Sequence, residues 1–146
     1  MITGDKFIVL VKSYFYFLIK EFNFKEKNVT NNRNLFYNVR YQNVNSIISI
    51  SYENREDYLQ VIIYKTQNGA IPNYDDKELT IHLETLNNRL LRHLTNEDFK
   101  ENDIAFLELS AKDKIDKALI KSAKELRLCL KNIRMLEDMV WLSPIK

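Results

Sequence analysis

The chain has 146 residues, the length of one domain, because two would leave each half too small for a comfortable core. It is 45% hydrophobic and 29% charged, which is too apolar for a disordered chain. Its 22 basic and 20 acidic side chains leave a net charge of +2, which argues against nucleic acid as a partner, and the lone Cys129 excludes an intrachain disulfide or a thiolate metal cluster.

The first element is expected to be one helix from about Asp5 to Phe22, capped by Thr3 or Asp5. Lys6, Ser13, Tyr16 and Lys20 recur near one side of it, and the remaining wide apolar arc suits a helix packed over a sheet. Its core, FIVLVKSYFYFLI (Phe7 to Ile19), has 13 residues, against the roughly 20 that span a bilayer. Lys12 and Ser13 interrupt it. Lys20, Glu21 and Phe22 follow where a signal peptide would carry a small-residue cleavage site, so the expectation is a cytoplasmic protein with no membrane contact. Asn23 to Asn34 is polar, rich in asparagine and without period, which reads as a loop.

Three strands come next. Leu35, Tyr37, Val39 and Tyr41 alternate with Phe36, Asn38, Arg40 and Gln42. Ile48, Ile50 and Tyr52 alternate with serines, and Leu59, Val61 and Ile63 alternate after a short polar turn. Connections this short make neighbouring strands antiparallel, so a meander is expected. The third strand is apolar on both faces around Val61–Tyr64, yet a plain meander leaves it at an edge. Something must cover it.

Asn68-Gly69 and Pro72 break the chain. Lys77 to His82 stays open between a fourth strand and the start of a helix, for which Asp75 and Glu78 would form a capping box. Leu83 to Leu94 reads as a helix. The acidic run Thr95 to Leu109 reads as a short helical turn followed by an extended piece. Ser110 and Asp113 are placed to cap a final helix from Ala111 to about Val140, with Pro144 beyond it. Ile115, Leu119, Ser122, Leu126, Cys129, Ile133, Leu136 and Val140 share one face of that helix at about 100° per residue, with Lys117, Lys124 and Lys131 nearly opposite. The fold class is therefore α+β: an N-terminal helix, a three-stranded antiparallel meander open to a fourth strand, a shorter helix, and a long C-terminal helix packed on the sheet.

Chemistry is sparse. His82 and His93 are 11 residues apart, too far along one helix to share a metal, and Glu78 with His82 supplies only two ligands. Glu97, Asp98, Glu101 and Asp103 lack the ligand alternation and central glycine of a calcium loop and read as a solvated connection. Asp75-Asp76 fit the positive end of a helix dipole. There is no Gly-x-Ser-x-Gly elbow, and Gly4 and Gly69 cannot build a phosphate loop. Cys129 falls on an apolar stripe, where a thiol is inert. No cofactor and no catalytic residue is expected. Among Tyr37, Tyr41, Tyr52, Tyr58 and Tyr64, core and cross-strand packing outweighs an RNA platform beside Arg40, and a protein-binding surface is the main competitor.

Charge is unevenly placed. Residues 67–110 carry 4 basic and 9 acidic side chains, residues 111–146 carry 9 basic and 5 acidic, and residues 1–66 add a net +3. Glu97, Asp98, Glu101 and Asp103 against Lys117, Lys124 and Lys131 are thus candidate partner-binding residues, able to steer a protein of complementary pattern. A solvated helix face beside a solvated loop is the plainer explanation.

FLIKEFNF (Phe17 to Phe24), VRYQNVNSIISISYENREDYLQVIIYK (Val39 to Lys65) and KSAKELRLCLKNI (Lys121 to Ile133) together resemble, in pattern, small bacterial proteins that include immunity proteins of polymorphic toxin systems. The resemblance implies a non-enzymatic protein that binds another protein, such as a toxin domain. The slight positive charge departs from the acidic balance common in that group. Two further readings stay open: a small hydrolase or nucleotide-processing enzyme using His82, His93 and nearby carboxylates, and a homo-oligomer pairing through the third strand.

Overall fold

The structure, a computed structural model, describes residues 2–66, 70–73, 75–76 and 79–141, with the side chains of 133–141 excepted. The expected turn at Asn68-Gly69, the cap at Glu78, the stop at Pro144 and the inward placing of Ile133, Leu136 and Val140 lie outside the described residues. The elements run α1 (Gly4–Tyr14), α2 (Phe17–Phe22), β1 (Lys25–Asn32), β2 (Phe36–Gln42), β3 (Ser46–Glu53), β4 (Tyr58–Lys65), β5 (Thr80–His82), α3 (Leu83–Leu90), a 3-10 turn (Leu91–His93), α4 (Asn96–Ile104) and α5 (Lys114–Trp141). The fold is α+β, as expected, but the antiparallel sheet has five strands in chain order rather than three or four.

The extra strands come from segments with weak signals. Lys25–Asn32, expected as a loop, is β1, paired with β2 from Lys25↔Gln42 to Asn32↔Phe36 with a bulge between Glu26 and Asn28. Every residue of β1 is exposed, so no buried face imposes a period of two on its sequence. Its pairing is made by backbone and by the turn. Arg33 and Asn34 both take left-handed φ (53° and 57°), as a type I′ connection requires, and Leu35 N–H donates to Asn32 O at 2.9 Å. The open stretch before α3 resolves as β5, whose Thr80, Ile81 and His82 pair with Tyr64, Ile63 and Ile62. That pairing partly covers the doubly apolar third strand from within the chain.

The N-terminal helix is broken at Phe15–Tyr16, contrary to the single helix expected. Residues 15 and 17 lie about 200° apart on a straight helix and cannot share a face. Phe15 and Phe17 are nevertheless both buried, with ring centroids 6.1 Å apart. The break reconciles them and brings Phe17 edge-on to Phe106 at 5.9 Å. Asn23, in the left-handed region at φ 59°, then ends α2.

Two capping expectations also change. Residues 95–104, expected as only a short turn, make the regular helix α4, closed by a Thr95–Asp98 capping box. The C-terminal helix starts at Lys114 rather than Ala111. Asp113 Oδ1 accepts from Asp116 N–H at 3.0 Å, and the buried Asp116 reaches back to Lys112 N–H at 3.2 Å.

The helices lie on one face of the sheet. Tyr37, Val39, Tyr41, Ile48, Ile50, Tyr52, Val61, Ile63 and Ile81 join Phe7 and Val11 of α1, Phe15 at the helix break, the leucines of α3, and Leu119, Ala123, Leu126 and Cys129 of α5 in one cluster. Phe7 lies 5.4 Å from Tyr37 and 5.7 Å from Tyr52 by ring centroid. Tyr37, Tyr41 and Tyr52 of the five strand tyrosines belong to this cluster. The other sheet face holds a separate small cluster made only of strand residues: Ile47, Ile62 and Tyr64.

The chain start is latched to this layer by Asn54, which is buried in the β3–β4 turn. Its Nδ2 donates to Ile2 O at 3.0 Å, Asn34 O at 2.7 Å and Tyr37 Oη at 2.7 Å, while the Tyr37 hydroxyl donates to Ile2 O at 2.8 Å. Asn54→Ala strands these acceptors and is expected to cost about 2–4 kcal/mol in urea unfolding. A loss within the scatter of surface substitutions would contradict the latch.

Candidate functional site

The charged residues singled out from the sequence sit mainly on α4 and on the α5 face beside it, and several meet one another. Lys131 pairs with Glu101, and Lys124 lies 3.8 Å from Asp103. Asp98 is used in the α4 cap, where it accepts from Thr95 N–H at 2.8 Å. Glu97 and Lys117 stay exposed. Much of the acidic–basic asymmetry is thus matched inside the chain.

Between these pairs lies a knot that the sequence did not reveal. Arg127 is buried on α5. It donates from Nε to Glu21 Oε2 at 2.9 Å, from Nη2 to Glu21 Oε1 at 2.7 Å and from Nη1 to Asn102 Oδ1 at 3.0 Å. Asn102, also buried, donates from Nδ2 to Lys124 O at 2.9 Å. One guanidinium therefore ties α2, α4 and α5 together with a bidentate fork. The hydrogen bond from Arg127 holds the Glu21 carboxyl below the usual range, against burial, which pushes it upward. The only sequence clue was an arginine directly beside a buried stripe.

Next to the knot, a cleft of about 730 Å³ opens between the α1–α2 corner and the turn after α4. Phe17 and Phe106 give it an aromatic lining, with Glu21 and Arg127 at its side. Tyr16, Ile104 and Leu107 also line it, and they are 55%, 65% and 73% exposed. Large apolar side chains grouped around one opening differ from the scattered single ones that any surface carries.

A second cleft of about 480 Å³ lies between β4, β5, α3 and α5, lined by Gln60, His82, Glu84, Lys121, Ser122 and Glu125 among others. Gln60 Nε2 is 3.3 Å from His82 Nδ1. Burial, reinforced by Glu84 and opposed by Lys121 at 3.9 Å, pushes the Glu125 carboxyl upward. Acid–base groups are thus present, but His93 is not among the lining residues; it sits exposed in the 3-10 turn. Among the described residues no three His, Cys, Asp or Glu side chains come together as a metal site. Cys129 lies behind this cleft, its thiol pushed up to about 12 by burial and by Glu125, as a buried structural cysteine would be.

No helix among the described residues is long and apolar enough to cross a membrane. Comparisons with protein-family models, curated proteins and solved structures find no match to this chain.

The knot makes a stability prediction. Arg127→Ala leaves Glu21 and Asn102 without their donors. The expected loss is about 2–4 kcal/mol at neutral pH, below that of a fully buried pair because Glu21 is about a third exposed. A carboxylate with a lowered folded pKa adds stability above its unfolded pKa and loses it as pH falls through the folded value. Urea unfolding of the wild type should therefore weaken on acidification below the ordinary carboxylate range, and the variant should weaken less steeply. Equal acid slopes would contradict the assignment.

Proposed function

We propose that this chain is a non-enzymatic protein-binding module of the immunity type, acting in the cytoplasm by covering the active surface of a toxin domain. The observation that carries this reading is the opening lined by the exposed Tyr16, Ile104 and Leu107 over buried Phe17 and Phe106. A tyrosine with flanking aliphatic residues over an aromatic base, rimmed by charge, has the make-up of an interface centre and its rim. The rim includes several candidates from the sequence: Asp103 precedes Ile104, and the Asp103–Lys124 and Glu101–Lys131 pairs continue along α4 and α5. The pattern resemblance of the chain to immunity proteins points the same way.

In this reading the Asp103–Lys124 and Glu101–Lys131 pairs mainly position α4. Exposed pairs of this kind add little stability. They leave α4 nearly neutral and orient it, so selectivity rests on the apolar centre and on Glu97 and Lys117, which are exposed and have no ion-pair partner among the described residues.

A tagged chain expressed in its native host and crosslinked in cells tests the reading. The wild type should capture one dominant partner, and the protein encoded beside it is the first to compare. Ile104→Asp combined with Leu107→Asp should lose that partner while unfolding at an unchanged midpoint, since both side chains are exposed. Tyr16→Ala alone should weaken binding by about tenfold or more. Capture that is indifferent to all three substitutions would remove this surface from the account. Concentration-dependent dimerisation abolished by the same double substitution would make a second copy the partner.

A further inference from the structure

The sheet has two edges, and they are guarded differently. β1 is fully exposed, but Lys25, Lys27 and the bulge between Glu26 and Asn28 blunt it against further pairing. At the other edge β5 is only three residues long and pairs with Ile62, Ile63 and Tyr64 of β4. Tyr58, Leu59, Gln60 and Val61 have no strand beside them on that side among the described residues. Lys65 N–H donates to Leu79 O at 2.8 Å, so by alternation Leu59 turns its own backbone N–H and C=O the same way. This open stretch has no charge, no proline and no bulge to guard it.

The cleft of about 480 Å³ opens at this stretch, bordered by all four residues and, across from them, by Glu84 of α3 and by Lys121 and Glu125 of α5. Its volume is that of an ordinary ligand site. Tyr58 and Glu84 are exposed, and Leu59, Gln60 and Glu125 are half-buried, so solvent reaches it. A sheet edge open in a cleft takes an extended peptide, main chain to main chain. We propose that this cleft binds an extended basic peptide segment, which adds as a strand to β4 beside Tyr58–Val61 and sets a lysine or arginine side chain between Glu84 and Glu125. The cleft shares no lining residue with the Tyr16–Leu107 opening. The segment is a ligand distinct from the partner seated there, so either can fail without the other.

Charge selects that occupant. Glu84 stands close enough to Glu125 to push its carboxyl upward, and the exposed Lys121 is the one lysine or arginine among the described lining residues. Two carboxylates against one ammonium leave room for a further cation. A second copy pairing edge to edge would bring its own Glu84 and Glu125 against these. Nucleic acid and free phosphate meet the same repulsion. A small cation without a main chain would leave the edge of β4 unpaired.

The test titrates the full ¹⁵N-labelled chain with acetyl-Thr-Val-Lys-Val-Thr-amide, with its Glu counterpart, and with the Lys peptide N-methylated throughout. The Lys peptide should shift the Leu59 and Val61 amides saturably with a Kd below about 1 mM, at least about tenfold tighter than either control. Glu84→Gln combined with Glu125→Gln should reduce the preference for Lys over Glu to within about twofold. If that variant does not fold, the wild-type titrations decide alone. No saturable shift, equal binding of the Lys and Glu peptides, binding indifferent to N-methylation, or a preference kept by the folded double variant would each overturn the proposal. Shifts confined to residues around Tyr16 and Leu107 would overturn it by placing the peptide at the other opening. Shifts at Leu59 and Val61 on concentrating the chain alone would overturn it by making a second copy the occupant.

Discussion

The constraint on which this structure depends is that a five-stranded sheet must bury one of its faces. Phe7, Tyr37 and Tyr52 stack at its centre, and α1, α3 and α5 close over them with aliphatic side chains. Once that layer is fixed, the helices have little freedom of position. The α1–α2 corner falls where Phe15 and Phe17 can both enter the core, and α4 is drawn in by Arg127 and Asn102. Polar groups at the margins are used to lock the layer. Tyr14 donates to the buried Asp116 at 3.0 Å, and Tyr52 donates to Asp57 at 2.6 Å, which in turn holds Lys114 at 2.7 Å. Burial, reinforced by these carboxylates, pushes both tyrosine hydroxyls up to about 12, so they remain donors at any physiological pH.

Where side-chain chemistry follows a period, the sequence could be read. β2 and β3 alternate apolar residues toward the helices with polar ones on the other side, although both faces of β3 and of Val61–Tyr64 in β4 are buried, and α5 shows its period because Leu119, Leu126 and Cys129 are fully covered. Where burial gives no pattern, it could not. β1 is held by backbone pairing and a left-handed turn, and an asparagine-rich exposed strand looks like a loop. The break in the N-terminal helix was hidden for the opposite reason. Almost every residue there is apolar, so the wide hydrophobic arc concealed which side chains compete for one site.

The candidate site was legible only at its rim. The acidic and basic clusters were visible as composition, but composition cannot say whether opposite charges face outward or face each other. Lys131 with Glu101 and Lys124 with Asp103 do the latter. The apolar centre is hidden in the sequence because Ile104 and Leu107 occur in an acidic stretch that reads as solvated connection, and Tyr16 falls on the polar side of a straight helix. The two histidines illustrate the same limit from the other side: His82 lines the cleft beside β4 and β5, and His93 does not.

The proposed function places recognition on the surface, with the interior committed to joining helices to a sheet. Hydrogen–deuterium exchange of the chain alone and with its captured partner addresses this most directly. Protection should rise over residues 15–21 and 103–109, which border the Tyr16–Leu107 opening, and stay unchanged over residues 82–88 beside His82. Protection gained only around His82, Glu84 and Glu125 would place recognition at the acid–base cleft and contradict the account.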